Sequence, residues 1–68
     1  MSTTAELREL AREVAEAESN LTAMRARRDA AIAQAAADGI RQRDIVESTG
    51  LTREQVRRIV LAGKRDAE

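Results

Sequence analysis

Leu7, Leu10, Val14, Ala17, Leu21 and Met24 recur at intervals of 3, 4, 3, 4 and 3 residues. This is the spacing of the a and d positions of a coiled coil, held over about three heptads. The stripe is narrow, whereas a helix buried in a globular core shows a wider apolar face. It therefore predicts a long amino-terminal helix that pairs with one other helix. Thr3 or Thr4 can cap its start, with Glu6 placed to favour the positive end of the helix dipole. The next seam position is Arg28, which interrupts the stripe, and Ala31, Ile32, Ala35 and Ala36 then widen it. The same helix, or its continuation after a kink near Ser19-Asn20, is expected to stop pairing there and to begin packing inside a compact unit.

The remaining pattern divides into three helices. The first covers about Arg25 to Ala37 and closes at Asp38-Gly39, with Gly39 as the left-handed residue past the end. The second covers about Arg41 to Ser48, with Ile45 and Val46 facing inward. Thr49-Gly50-Leu51 forms a tight turn in which glycine supplies a positive φ. Thr52 followed by Gln55 is a capping-box pattern that opens the third helix, whose inner face is Val56, Ile59 and Val60. Gly63 is expected to end this helix and Lys64 to Glu68 to fray. Leu61 falls on the outward side, where it can cover a neighbouring helix, including the amino-terminal one. The expected fold is all-α: a coiled-coil-like segment over residues 1–24, a tri-helical unit over 25–63 and a tail over 64–68.

Composition supports helices, with fourteen alanines, three glycines and no proline. Sixty-eight residues bury little surface, so a chain this short calls for a staple. Cysteine and histidine are both absent, which excludes disulfides, thiolate chemistry and the usual zinc sites and leaves oligomerisation. No metal and no other cofactor are expected. The seam Leu7, Leu10, Val14, Ala17, Leu21 and Met24 then predicts a homodimer. Folding back of the same stripe onto the tri-helical unit is the alternative, and the seam residues alone leave parallel and antiparallel pairing open. No apolar run approaches the roughly 20 residues of a membrane span, and the start does not read as a signal peptide, so a cytoplasmic location is expected.

A formal net charge of zero conceals a division. Residues 1–24 carry five acidic and two basic side chains, whereas residues 25–68 carry seven acidic and ten basic ones. Eleven of the twelve basic residues are arginine, whose planar fork suits phosphate and guanine, although a high-GC genome produces the same bias. Arg25, Arg27 and Arg28 can clamp phosphate or simply solvate a helix face. An enzyme is not expected. Without His, Cys or Tyr, a general acid or base would have to be a carboxylate or Lys64, and Ser2, Ser19 and Ser48 lack an activating base. The absence of Phe, Trp and Tyr removes the usual stacking platforms for single-stranded nucleic acid.

The run from Gln42 to Ile59 resembles the helix-turn-helix of small bacterial and phage regulators, of sigma-factor region 4 and of resolvase DNA-binding domains. The likeness lies in Ile45, Gly50, Leu51, Val56 and Ile59 at their mutual spacings. Val46 stands where that family more often has alanine. With Arg28 to Gly39 as the preceding helix, the arrangement is similar to the tri-helical core of such proteins, especially short ones of actinobacteria and their phages. The resemblance implies double-stranded DNA as the partner and association with the nucleoid when bound. It implies DNA contact for Thr52, Arg53, Glu54, Arg57 and Arg58 on the recognition helix, with Gln42, Arg43 and Thr52 nearer phosphate. Periodicity agrees, since Glu54, Arg57 and Arg58 lie away from the Val56-Ile59-Val60 face. Arg57 or Arg58 can reach a guanine edge, and Glu54 can accept from a cytosine amino group. A plainer reading makes Glu54 and Arg58 a surface ion pair. Two functions are consistent with these features. One is a dimeric, sequence-specific DNA-binding regulator or phage or plasmid accessory factor. The other is a protein-interaction module that uses the amino-terminal helix.

Overall fold

The computed structural model describes residues 3–67, with side chains through residue 65. Met1, Ser2 and Glu68, which belong to the expected amino-terminal segment and tail, lie outside them. The described residues are all-helical: α1 spans Thr4–Ala37, α2 Gln42–Thr49 and α3 Arg53–Ala67.

α1 is one unbroken helix of 34 residues. At 1.5 Å per residue it is about 50 Å long, and it sets the longest dimension of the protein, 54 Å. Thr3 caps it, its Oγ1 accepting from the Glu6 backbone N–H at 3.1 Å. Ser19 and Asn20 do not break it, and α1 passes the expected boundary at Met24-Arg25 without interruption. Alanine-rich sequence and exposed ion pairs from Arg12 to Glu9 and Glu16 sustain the solvated stretch.

The end of α1 is fixed by Gly39 at φ +92°. The Gly39 N–H donates to the Ala36 carbonyl (3.1 Å) and the Ile40 N–H to the Ala35 carbonyl (3.0 Å), the paired bonds of a Schellman motif. These bonds satisfy carbonyls the helix leaves open and turn the chain back toward α2. α2 ends in the simpler αL motif at Gly50, φ +73°, with a single bond from its N–H to the Val46 carbonyl at 2.9 Å.

The core takes one buried side chain from each helix: Ile32 of α1, Ile45 of α2 and Val56 of α3, of which Val56 is the most deeply enclosed. Ala35, Ala36, Val46, Leu51, Ile59 and Val60 pack around them, as the sequence pattern anticipates. Ala31, expected in the same face, remains exposed. Burial of each of the three is worth roughly 1.5–3 kcal/mol, so the unit rests on few contacts.

Gly63 does not end α3. The helix continues to Ala67, so Lys64 and Arg65 lie on a helix where a frayed tail is expected. Gly63 sits where α3 packs tightly on α1: a Cβ placed on it would lie 2.6 Å from the Ala33 Cβ. Its role is therefore interhelical packing, and its interior position gives it no part in a helix end.

Candidate nucleic-acid interface

α2, the Gly50 turn and α3 hold the side chains to which the helix-turn-helix resemblance assigns DNA contact. The turn is built from local hydrogen bonds. Thr49 Oγ1 donates to the Ile45 carbonyl (2.8 Å) and accepts from the Leu51 N–H (3.2 Å). Half-buried Leu51 anchors the far side of the turn against the core. The capping box forms in full: the Gln55 N–H donates to Thr52 Oγ1 (3.1 Å) and the Thr52 N–H to Gln55 Oε1 (2.9 Å). Both bonds satisfy donors that the first turn of α3 would otherwise leave open, so the start of α3 is pinned to one residue.

Gln42 connects the two helices. Its Nε2 donates to the Arg53 carbonyl at 3.0 Å, tying the first turn of α2 to the first turn of α3. The side chain expected near phosphate thus also fixes the start of α3, and it remains exposed. Arg43 projects from the same turn of α2 and lies 3.8 Å from Asp44 Oδ1.

With Val56, Ile59 and Val60 turned inward, α3 presents Arg53, Glu54, Arg57 and Arg58 to solvent. Glu54 and Arg58 approach to 3.6 Å as an i,i+4 pair, so the plainer surface reading of these two is realised in this conformation. Such an exposed pair is worth only a few tenths of a kcal/mol, so little opposes its rearrangement around a ligand. Arg53 and Arg57 have no ion-pair partner among the described residues.

Continuation of α3 past Gly63 adds two cations that the sequence pattern did not bring to this face. Lys64 follows Arg57 at seven residues, two turns on, and Arg65 follows Arg58 in the same way. With Arg53, this gives α3 five basic side chains. Arg57, Leu61 and Lys64 also line a cleft with Ile40 and Gln42. Leu61 borders this cleft and stays 47% exposed, uncovered by the amino-terminal stretch.

The seam stands apart from this unit. Every residue from 3 to 28 is exposed, so the stripe does not fold back onto the tri-helical core. Leu7, Leu10, Val14, Leu21 and Met24 are 49–58% exposed, and Ala17 between them is exposed as well. Arg28 is tied to Asp29, 3.0 Å away, at the point where burial begins. No helix among the described residues is long and apolar enough to cross a membrane, and none of their acidic side chains cluster as a metal site would require.

No protein-family model matches the chain, and neither does any curated protein or solved structure.

Proposed function

We propose that this protein binds double-stranded DNA sequence-specifically as a homodimer, acting as a regulator or accessory factor. In this reading the unit from α2 through α3 is a helix-turn-helix and α3 enters the major groove. The observation that carries the reading is the basic outer face of α3, held at a fixed start by the Thr52–Gln55 box and the Gln42 bond to Arg53. Arg57 and Arg58 read base edges, Glu54 accepts from a base, and Thr52, Arg53, Gln42 and Arg43 meet phosphate. Lys64 and Arg65 extend the phosphate contacts along the same helix. One copy offers few charges to the duplex, and pairing through the Leu7 to Met24 stripe gives the assembly two readers.

Binding to random and selected duplexes at low salt, followed across a salt titration, tests this. Arg57→Ala with Arg58→Ala should weaken the selected site by at least about tenfold, since a good arginine contact to guanine is worth about 1–3 kcal/mol. Lys64→Ala should weaken all duplexes alike and flatten the salt slope by about one unit. Undetectable binding of the unaltered protein to any duplex at low salt refutes the reading.

The exposed stripe also supports the second reading, in which the amino-terminal helix takes a different protein as partner. Sedimentation at micromolar concentration separates the two. Self-pairing predicts twice the chain mass and its loss in Leu10→Asp, whereas a strict monomer, unchanged by Leu10→Asp, favours the other partner.

A further inference from the structure

The charges that flank the exposed stripe carry more information than the stripe itself. With Leu7, Val14 and Leu21 at a and Leu10, Ala17 and Met24 at d, the flanking g positions are Glu6, Glu13, Asn20 and Arg27, and the e positions include Ala11, Glu18 and Arg25. Among the described residues Glu6, Glu13, Glu18, Arg25 and Arg27 make no ion pair within the chain. Arg27 lies against the stripe, its Nη1 3.5 Å from Met24 Sδ. The acidic flank is thus at one end of the segment and the basic flank at the other.

We propose that a second copy of this chain covers the stripe in antiparallel orientation, with Glu6 facing the partner's Arg27. This rests on the self-pairing in the reading above and adds its direction. A parallel pair sets each g residue against the e residue of the following heptad. Glu13 would then face the partner's Glu18 twice, Asn20 would face the partner's Arg25, and no opposite charges would meet. It would also stack Ala17 on the partner's Ala17, leaving a gap, and Arg28 on the partner's Arg28. The antiparallel pair centred between Val14 and Ala17 sets Leu7 against the partner's Met24, Leu10 against the partner's Leu21 and Val14 against the partner's Ala17. Each small residue then meets a larger one. Glu6 meets the partner's Arg27 on both sides of the dyad, and Glu13 meets the partner's Asn20. No like charges face each other across the seam, and the two helix dipoles oppose.

The direction decides where the two compact units stand. In the antiparallel pair the Ile32 residues that begin each core are roughly 50 Å apart along the common axis, at 1.5 Å per residue. A parallel pair would hold them side by side at about 10 Å. The readers of the antiparallel assembly therefore sit at its two ends.

A single spin label on Thr4→Cys tests the direction, because the chain has no other cysteine. Pulsed electron–electron distance measurement on the dimer should give about 35 Å. A distance near 10–15 Å at dimeric mass, the scale of adjacent helix axes plus the label, overturns the antiparallel arrangement and leaves the DNA reading intact. A monomer at tens of micromolar overturns the pairing, and DNA binding is then decided by the duplex titration alone. Charge reversal gives a second check. Glu6→Arg and Arg27→Glu should each raise the dimer Kd about tenfold, since two symmetric exposed pairs are reversed at once. The double variant should return to within about threefold of the original. A double variant as weak as the sum of the singles overturns the Glu6–Arg27 pairing.

Discussion

Gly63→Ala sets two well-measured effects against each other. In an exposed helix interior the change stabilises by about 0.8–1.0 kcal/mol, because alanine loses less backbone entropy and shields the helix. Here the new methyl would lie 2.6 Å from Ala33 Cβ, where ordinary contact begins near 3.4 Å. Both atoms sit directly on helix backbones, so no side-chain rotation relieves the clash. α1 and α3 must separate by close to 1 Å. Forced overpacking of this kind costs about 1–3 kcal/mol, which exceeds the propensity gain. The expected net is a loss of about 1 kcal/mol, or roughly 4–8 °C in Tm for a unit this small. Thermal denaturation followed by circular dichroism at one fixed protein concentration measures it, the fixed concentration keeping any pairing equilibrium constant. Gly63→Ala combined with Ala33→Gly removes the clash and exchanges the propensities. That variant should return to within about 0.5 kcal/mol of the parent, well above the sum of the single losses. A rise in Tm for Gly63→Ala alone, with no coupling to Ala33→Gly, would refute the close approach of the two helices.

Two further predictions concern the unit that positions α3. Thr52→Ala removes one half of the capping box and should cost about 1 kcal/mol, read as a lower Tm, with Thr52→Ser recovering most of it. An unchanged Tm would mean that the box does not hold the start of α3. Ile32→Ala should cost about 2–5 kcal/mol, comparable with the whole stability expected for a chain of this length. The variant should therefore lose the cooperative transition of the tri-helical unit while part of the α1 signal persists wherever α1 is paired. A small shift in Tm would show that the core extends beyond its three buried side chains.

Much of the fold was legible in the sequence because its signals are local. The Gly39 and Gly50 stops, the Thr3 cap and the Thr52–Gln55 box depend on residues within five of each other, and each forms as the pattern anticipates. Gly63 is the opposite case, because its role depends on a distant residue. A glycine near a helix end reads as a stop when only neighbours in sequence are weighed. Here its lack of a side chain serves a residue thirty positions away on α1. The run of alanines from Ala30 to Ala37 was the available signal, since small side chains on one helix invite close approach by another. Lys64 and Arg65 fall outside the expected site for the same reason, since their helical placement depends on α3 continuing past Gly63. Of the two courses open to the chain at Ser19-Asn20, the uninterrupted helix is the one observed, because mild helix disfavour at two exposed positions is too small to interrupt a ladder sustained on both sides. In the candidate site, the outward placement of Glu54, Arg57 and Arg58 followed from periodicity, whereas the Gln42 bond to Arg53 spans two helices and had no local signature.

The unbroken course of α1 from Thr4 to Ala37 locks the rotational phase of the seam to that of the tri-helical unit. Each residue inserted between Met24 and Arg28 would turn the unit by about 100° relative to the stripe and advance it by 1.5 Å. One added residue would aim α3 to the side, and two would point it nearly backward. Seven would bring it back to within about 20° of its original heading, some 10 Å farther out. The length of this helix is therefore constrained in steps, and the spacer behaves as a ruler whose readings are spaced by whole turns.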